Sequence, residues 1–144
     1  MMASRDVVIA ELLRTGVLAV VRTDEPQEIV KTAKALLRGD VTLIEITMTV
    51  PSAFRVIEHI VAEMGSDVLV GAGTVLDATT ARLAISAGAS FLVAPTLDLE
   101  LIQMAHRYNA AAIPGCLTPT ELAQACSGGA DVIKLFPGRV ATPG

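Results

Sequence analysis

The sequence of 144 residues is 52% hydrophobic and 18% charged, with a formal net charge of −4. This composition excludes a disordered chain, and the length suffices for one domain with a buried core. Lys and Arg do not cluster, which argues against a nucleic-acid partner, and no apolar run approaches the roughly 18 residues of a membrane span. We therefore expect a cytoplasmic protein with no membrane partner, which binds small molecules or other copies of itself.

Cysteine and histidine, the residues that commonly hold zinc, are sparse in this chain. Cys116 and Cys126 lack the close spacing of a zinc site, and they are expected to be reduced structural thiols. His59 and His106 fall in predicted helices, and nothing near them in sequence suggests a catalytic triad. The sequence predicts neither a metal site nor a cofactor.

Short β-branched segments alternate with segments of helical periodicity along the chain. The pattern predicts, in chain order, a helix at residues 4–14, a strand at 17–22, a helix at 26–38, a strand at 41–47, a helix at 51–64, a strand at 68–73, a helix at 78–87, a strand at 90–94, a helix at 99–108, a strand at 111–114, a helix at 119–127 and a strand at 131–136. Such alternation predicts parallel strands joined by right-handed crossovers. Both a barrel and an open, doubly wound sheet fit it.

Polar residues, Gly or Pro stand at the C-terminal end of each predicted strand. These positions are Arg22, Glu45 with Thr47, Gly73 with Thr74, Pro95, Pro114 and Lys134. A (β/α) barrel gathers its active site from the C-terminal ends of many strands, whereas an open sheet concentrates its site at one switch point. The distribution therefore favours an α/β fold of the parallel (β/α) TIM-barrel type, formed by residues 1–144 as a single domain.

Two ionisable residues, Glu45 and Lys134, occupy strands that are otherwise apolar. Burying either charge without a partner costs several kcal/mol, so such a residue is paired or takes part in chemistry. The two-residue period of a strand places Glu45 on the face of Leu43 and Lys134 on the face of Val132. Both charged side chains are therefore expected to point into the barrel. The residues alone leave two interpretations open, a structural ion pair and a catalytic amine with an acid/base carboxylate.

Several motifs stand in the same order as in a known family. They are Leu43-Ile44-Glu45-Ile46-Thr47, Gly71-Ala72-Gly73-Thr74-Val75, Pro114-Gly115 with Thr118-Pro119-Thr120-Glu121-Leu122, and Lys134-Leu135-Phe136-Pro137-Gly138. Together they resemble the class I 2-keto-3-deoxy-6-phosphogluconate (KDPG) aldolase family, whose members often also cleave 4-hydroxy-2-oxoglutarate (KHG). The resemblance implies reversible cleavage of a keto acid to pyruvate and an aldehyde, such as glyceraldehyde 3-phosphate or glyoxylate.

The resemblance also implies roles for single residues. Lys134 matches the family lysine that forms the Schiff base, and Glu45 matches the glutamate that carries protons. Thr74, Pro95 and Phe136 match family residues that line the pyruvate pocket. The family further suggests a homotrimer.

The sequence departs from the family pattern in two respects. Many members hold the substrate carboxylate with an Arg where this chain has Thr49, and Arg22 offers a guanidinium on the neighbouring strand for the same purpose. The chain also ends at Gly144, after a leading helix and about six of eight β/α units, without a counterpart of the two units that normally supply the phosphate site. We therefore expect an incomplete barrel, either a fragment of a longer enzyme or a chain that covers its open edges by assembly.

Two functions of different class follow from these observations. The first is a Schiff-base aldolase that acts on a small keto acid. The second is a partial barrel without catalysis, which serves only as an assembly or interaction unit. Covalent labelling of Lys134 by pyruvate and borohydride discriminates between them, because the label requires an organised pocket.

Overall fold

The computed structural model describes residues 3–140. In that range, helices and strands follow the chain as α1 Arg5–Thr15, β1 Ala19–Val21, α2 Ile29–Arg38, β2 Leu43–Thr47, α3 Ala53–Met64, β3 Leu69–Gly73, α4 Ala78–Ser86, β4 Phe91–Val93, α5 Leu99–Arg107, β5 Ala111–Ile113, β6 Gly115–Cys116, α6 Pro119–Ser127 and β7 Lys134–Leu135, with short 3-10 turns at Pro26–Glu28 and Gly138–Val140. None of these helices is long and apolar enough to cross a membrane.

Strands β1 to β5 form one parallel sheet in which each strand pairs with its neighbour in chain order. β6 follows β5 after Pro114 and pairs in parallel with β7. The backbone N–H of Asp131 donates to the carbonyl of Ala112 at 3.0 Å, and that of Lys134 donates to the carbonyl of Pro114 at 2.9 Å. The segment leading into β7 therefore occupies the position of the sixth strand in the barrel wall, next to β5. Parallel strands in chain order are the arrangement of a (β/α) barrel, and the predicted partial barrel is confirmed.

Alternate residues of the strands pack into two separate apolar clusters. Ile44 and Ile46 of β2 face outward and pack beneath the helices, whereas Leu43 and Phe91 face inward. Val8 of α1 is fully buried in the inward cluster, so α1 covers the N-terminal end of the barrel. The opposite, C-terminal end is left for a functional site.

Asp131 joins three elements at the N-terminal end of the barrel. One carboxylate oxygen pairs with the Nε of Arg5 on α1, and the other lies 3.1 Å from Nε2 of His106 on α5. That second oxygen also accepts a hydrogen bond of 2.8 Å from the backbone N–H of Ala112 on β5. The Asp131 side chain is only 4% exposed. Because β7 begins three residues later, this carboxylate anchors the segment that carries Lys134.

Replacing Asp131 with alanine is expected to lower the free energy of unfolding by about 2–3 kcal/mol, because the Ala112 N–H and the Arg5 guanidinium lose a buried acceptor. Urea unfolding measures the change. Asp67→Ala is the matched control, since Asp67 is exposed and such surface substitutions usually stay within about 0.5 kcal/mol. Equal unfolding midpoints for the two variants would show that the anchor contributes nothing.

Candidate active site

A cavity of about 260 Å³ opens inside the partial barrel. Its wall consists of Leu12, Leu18, Val20, Glu45, Val93, Ile113, Val132 and Lys134. All of these residues except Glu45 and Lys134 are apolar. The two charged residues that interrupt apolar strands in the sequence therefore meet on one largely apolar surface, where electrostatic effects are stronger than in water.

Glu45 is the central residue of β2, a strand in which all five residues are buried. Glu45 as a whole residue is 3% exposed. Burial raises the pKa of the Glu45 carboxyl, while the positive charges of Lys134 and Arg22 oppose that shift and lower it. Desolvation is the larger effect, because water no longer stabilises the carboxylate. Glu45 therefore takes up a proton at a higher pH than an exposed glutamate does.

Lys134 begins β7, where it pairs with Gly115 of β6. Its Nζ lies 4.7 Å from the centroid of the Phe136 ring, within the range of a cation–π contact. Lys134 and Glu45 line the same cavity, yet they do not belong to the ion pairs formed among the described residues. Of the two interpretations that the sequence allows, the structural ion pair between Glu45 and Lys134 is thus not formed. Both side chains can face a ligand between them.

The predicted buried strand at residues 131–136 is shorter and more exposed than expected. Strand geometry covers only Lys134–Leu135, and Lys134 is partly rather than fully buried. Leu135 and Phe136 are 48% and 41% exposed. β7 lies at the edge of the described sheet and pairs with β6 alone, so no second strand covers its free side. An apolar strand pattern does not distinguish an edge strand from a central one.

Arg22 directly follows β1, and its side chain is exposed. Its charge acts on the Glu45 carboxyl, whose pKa it lowers, so the guanidinium and the carboxylate lie within Coulombic range. Arg22 forms no ion pair with Asp24 or Glu25 in the described chain. It is therefore free to meet an anionic ligand at this end of the barrel.

Thr49, Thr74 and Pro95 each follow a strand at the same end of the barrel, but they do not line the cavity. Thr49 is exposed, and its hydroxyl lies 2.8 Å from that of Thr47. Pro95 is partly buried against Gly115. Thr74 has a φ of 56°, in the left-handed region that a β-branched residue rarely adopts. Such backbone strain concentrates at functional sites, and it marks Thr74 as a residue held in place by its surroundings.

Sequence reasoning missed the contribution of two residues to the site. Asp131 anchors β7 through side-chain contacts to distant helices, and no local pattern indicates such contacts. Gly73 belongs to the Gly71–Val75 motif, but its contact with Glu45 depends on the pairing of β2 with β3. Two glycines at alternate positions of a predicted strand were the available signal.

Comparison with known proteins decides the family. Residues 8–142 match the model of the family described as "Aldolase: KDPG and KHG aldolase". The chain belongs to the KDPG and KHG aldolase family. That match covers nearly the whole chain and includes all the strands described above.

Members of the KDPG and KHG aldolase family with assigned names show the same relationship. The chain is 33% identical to a probable 2-dehydro-3-deoxy-6-phosphogalactonate aldolase of Rhizobium meliloti (strain 1021), over 88% of this chain and 59% of that protein. It is 34% identical to the 2-dehydro-3-deoxy-phosphogluconate aldolase of Treponema pallidum (strain Nichols), over 90% of this chain and 61% of that protein. The chain thus spans about three fifths of the length of these relatives.

A solved structure agrees with the family assignment. The KDPG aldolase of Legionella pneumophila, with pyruvate captured at low pH as a covalent carbinolamine intermediate, superposes with a TM-score of 0.84 at 28% identity. The superposition covers 92% of this chain and 64% of that one. The partial barrel described here therefore has the backbone path of a KDPG aldolase over most of its length.

Proposed function

We propose that this chain carries the active site of a class I aldolase. Lys134 forms a Schiff base with a 2-keto acid, and the bond between C3 and C4 is then cleaved to give pyruvate and an aldehyde. The substrates are a sugar acid of the KDPG type, which yields glyceraldehyde 3-phosphate, or KHG, which yields glyoxylate. The observation that carries the proposal is the position of Lys134 and Glu45 on one small, largely apolar cavity without an ion pair between them.

The chemistry follows from these two groups. The neutral amine of Lys134 attacks C2, and the resulting carbinolamine loses water to give an iminium. Glu45 takes the proton of the C4 hydroxyl, the C3–C4 bond breaks, and its electrons move into the iminium to form an enamine. The aldehyde leaves, C3 is protonated, and water releases pyruvate and the amine. The raised pKa of Glu45 brings its protonation closer to neutral pH, which suits a general acid/base.

The remaining predicted residues are proposed to hold the keto acid. Arg22 takes the carboxylate, because its guanidinium is unpaired and near Glu45. Phe136 contacts the Lys134 amine. Thr74 and Pro95 follow β3 and β4 beyond the cavity wall, and they are proposed to border the pyruvate half where the substrate extends past that wall. Thr49 replaces a family Arg and offers a hydroxyl instead of a charge. We also propose a homotrimer, as the family resemblance suggests, and a location in the cytoplasm, as expected from the sequence.

The Legionella pneumophila relative supports this assignment, since pyruvate was captured in it as a covalent carbinolamine. A carbinolamine is the intermediate that an amine and a keto group form before loss of water. Lys134 is the one lysine of this chain on the cavity wall; the other two, Lys31 and Lys34, lie on α2.

The proposal predicts that pyruvate and sodium borohydride together modify Lys134 irreversibly. Reduction of the iminium adds the mass of one pyruvic acid molecule less one oxygen atom, which mass spectrometry of the intact chain and of its peptides detects. Lys31 and Lys34 are internal controls, because they are 81% and 51% exposed and form ion pairs on the outer surface. A folded chain without label, or with equal label on the three lysines, contradicts the proposal.

The alternative is a partial barrel that assembles without catalysing a reaction. Leu135 on β7 is 48% exposed at an edge of the described wall, as expected of a surface that another polypeptide covers. Under this alternative Lys134 stays unlabelled while the chain forms stable oligomers.

A further inference from the structure

Strand β3 presents two glycines, Gly71 and Gly73, to the interior of the barrel. A Cβ atom added at Gly71 would overlap the ring of Phe91, and one added at Gly73 would overlap the carboxyl group of Glu45. The absent side chains of β3 thus leave space that two neighbouring strands fill. The space at Gly71 holds the aromatic ring of Phe91, and the space at Gly73 holds the carboxyl group of Glu45.

A side chain at position 73 is excluded by steric overlap with Glu45 and not by the backbone conformation. Gly73 is not among the glycines with positive φ, so alanine can adopt its backbone angles. A Cβ there would collide with Oε1 and Cδ of Glu45 and would lie 2.5 Å from Cγ. The backbone cannot move away easily, because Gly73 pairs with Thr47 and its carbonyl accepts a 2.8 Å hydrogen bond from the N–H of Met48.

The Glu45 carboxylate packs against β3 without a hydrogen bond from the described residues, and its oxygens keep a small contact with the open cavity. Glu45 is 3% exposed, yet its oxygens accept no hydrogen bond from the described residues. The surface of β3 at Gly73 therefore limits the carboxylate on one side, while its other side faces the cavity. A shift of about 1 Å in a reacting group is enough to cost roughly 10²-fold in rate.

We infer that Gly73 is a positioning residue that seats the Glu45 carboxylate against β3 and so sets its placement relative to Lys134. The catalytic consequence depends on the proposed function, whereas the steric contact does not. A Cβ at this position displaces the carboxylate towards the open part of the cavity. There it regains water and is less well placed to take the substrate proton.

The steric part is tested by a double-mutant cycle on stability. Gly73→Ala should lower the urea midpoint of unfolding, and in the Glu45→Ala background most of that loss should disappear, because the overlapping carboxylate is gone. Gly71→Ala is the matched control on the same strand and face, and its loss should be unchanged by Glu45→Ala, since it collides with Phe91. Equal losses from Gly73→Ala in both backgrounds overturn the inference. If Gly73→Ala alone does not fold, a folded double variant supports the contact and an unfolded one contradicts it.

The catalytic part is tested on the folded variant. Gly73→Ala should lower kcat roughly 10- to 100-fold. It should also move the acidic limb of the kcat profile to lower pH, because a rehydrated carboxyl loses the burial that raises its pKa. A structural defect alone would reduce kcat without moving that limb, and this result would overturn the positioning role. If wild type forms no pyruvate adduct, the proposed function fails, while the stability cycle still decides the contact.

Discussion

Replacing Lys134 with methionine is expected to abolish the borohydride-trapped adduct and to reduce aldol cleavage by on the order of 10⁴-fold or more, as the loss of a nucleophile does in other enzymes. Methionine has a similar length and an apolar character that suits the cavity wall, so the free energy of unfolding should not fall. Intact mass after borohydride treatment and a pyruvate-release assay measure the two effects, with urea unfolding as the check on structure.

Two further variants separate charge from nucleophilicity. Lys134→Arg keeps a cation next to the Phe136 ring but supplies no neutral amine, so it should be as inactive as the methionine variant. Lys31→Met removes an exposed lysine from α2 and should leave the label and the rate unchanged. Residual label in the methionine variant would place the Schiff base on another amine, and a fully active arginine variant would refute covalent catalysis altogether.

Glu45→Gln is expected to lower kcat roughly 10²- to 10⁴-fold, the usual contribution of a general acid/base. The amide keeps the shape of the side chain but cannot exchange a proton with the substrate hydroxyl. The pyruvate adduct should still form on Lys134, although more slowly, since the amine itself is retained. Steady-state kinetics and time-resolved trapping distinguish this outcome from the loss of the Schiff base.

The same substitution is expected to change the pH dependence of stability. Burial raises the pKa of Glu45 above its ordinary value of 4.5, so the folded state holds this proton more tightly than the unfolded state does. The contribution of Glu45 to stability is therefore fully present below the unfolded pKa and is lost as pH rises through the folded pKa. Relative to wild type, Glu45→Gln should gain stability over that window and keep the gain above it. Urea unfolding at a series of pH values would refute this if the difference between the two proteins stayed constant.

The sequence predicted the fold well because the barrel repeats one local signal. Alternating strand and helix segments imply parallel strands in chain order, and the two-residue period of β2 correctly separated Leu43 from Ile44 between the inner and outer clusters. The same period placed Glu45 and Lys134 on the inner surface, where both line one cavity. These inferences need only the geometry of a strand.

Features that depend on tertiary contacts were not accessible in this way. The strand expected at residues 131–136 is reduced to Lys134–Leu135, because the length of a strand depends on its pairing partners as well as on its own residues. The capping box of Thr118 and Glu121 at the start of α6 is local by contrast, because its two residues lie three positions apart in the chain. The space at Gly73 and the anchor at Asp131 join segments far apart in the chain, and residue patterns within one segment do not report them.

The inner face of β3, which has no side chains at Gly71 and Gly73, also affects redesign of the pocket. Mutant libraries that randomise Gly71 or Gly73 should consist largely of damaged proteins, because almost any new side chain meets Phe91 or Glu45. Under the proposed aldol cleavage, acceptance of a bulkier or smaller aldehyde is better sought at Leu18, Val20 and Val132, whose side chains border the same cavity. Laboratory evolution of this domain should therefore collect its useful substitutions on, or just before, the first and last strands of the described wall and leave Gly71 and Gly73 unchanged.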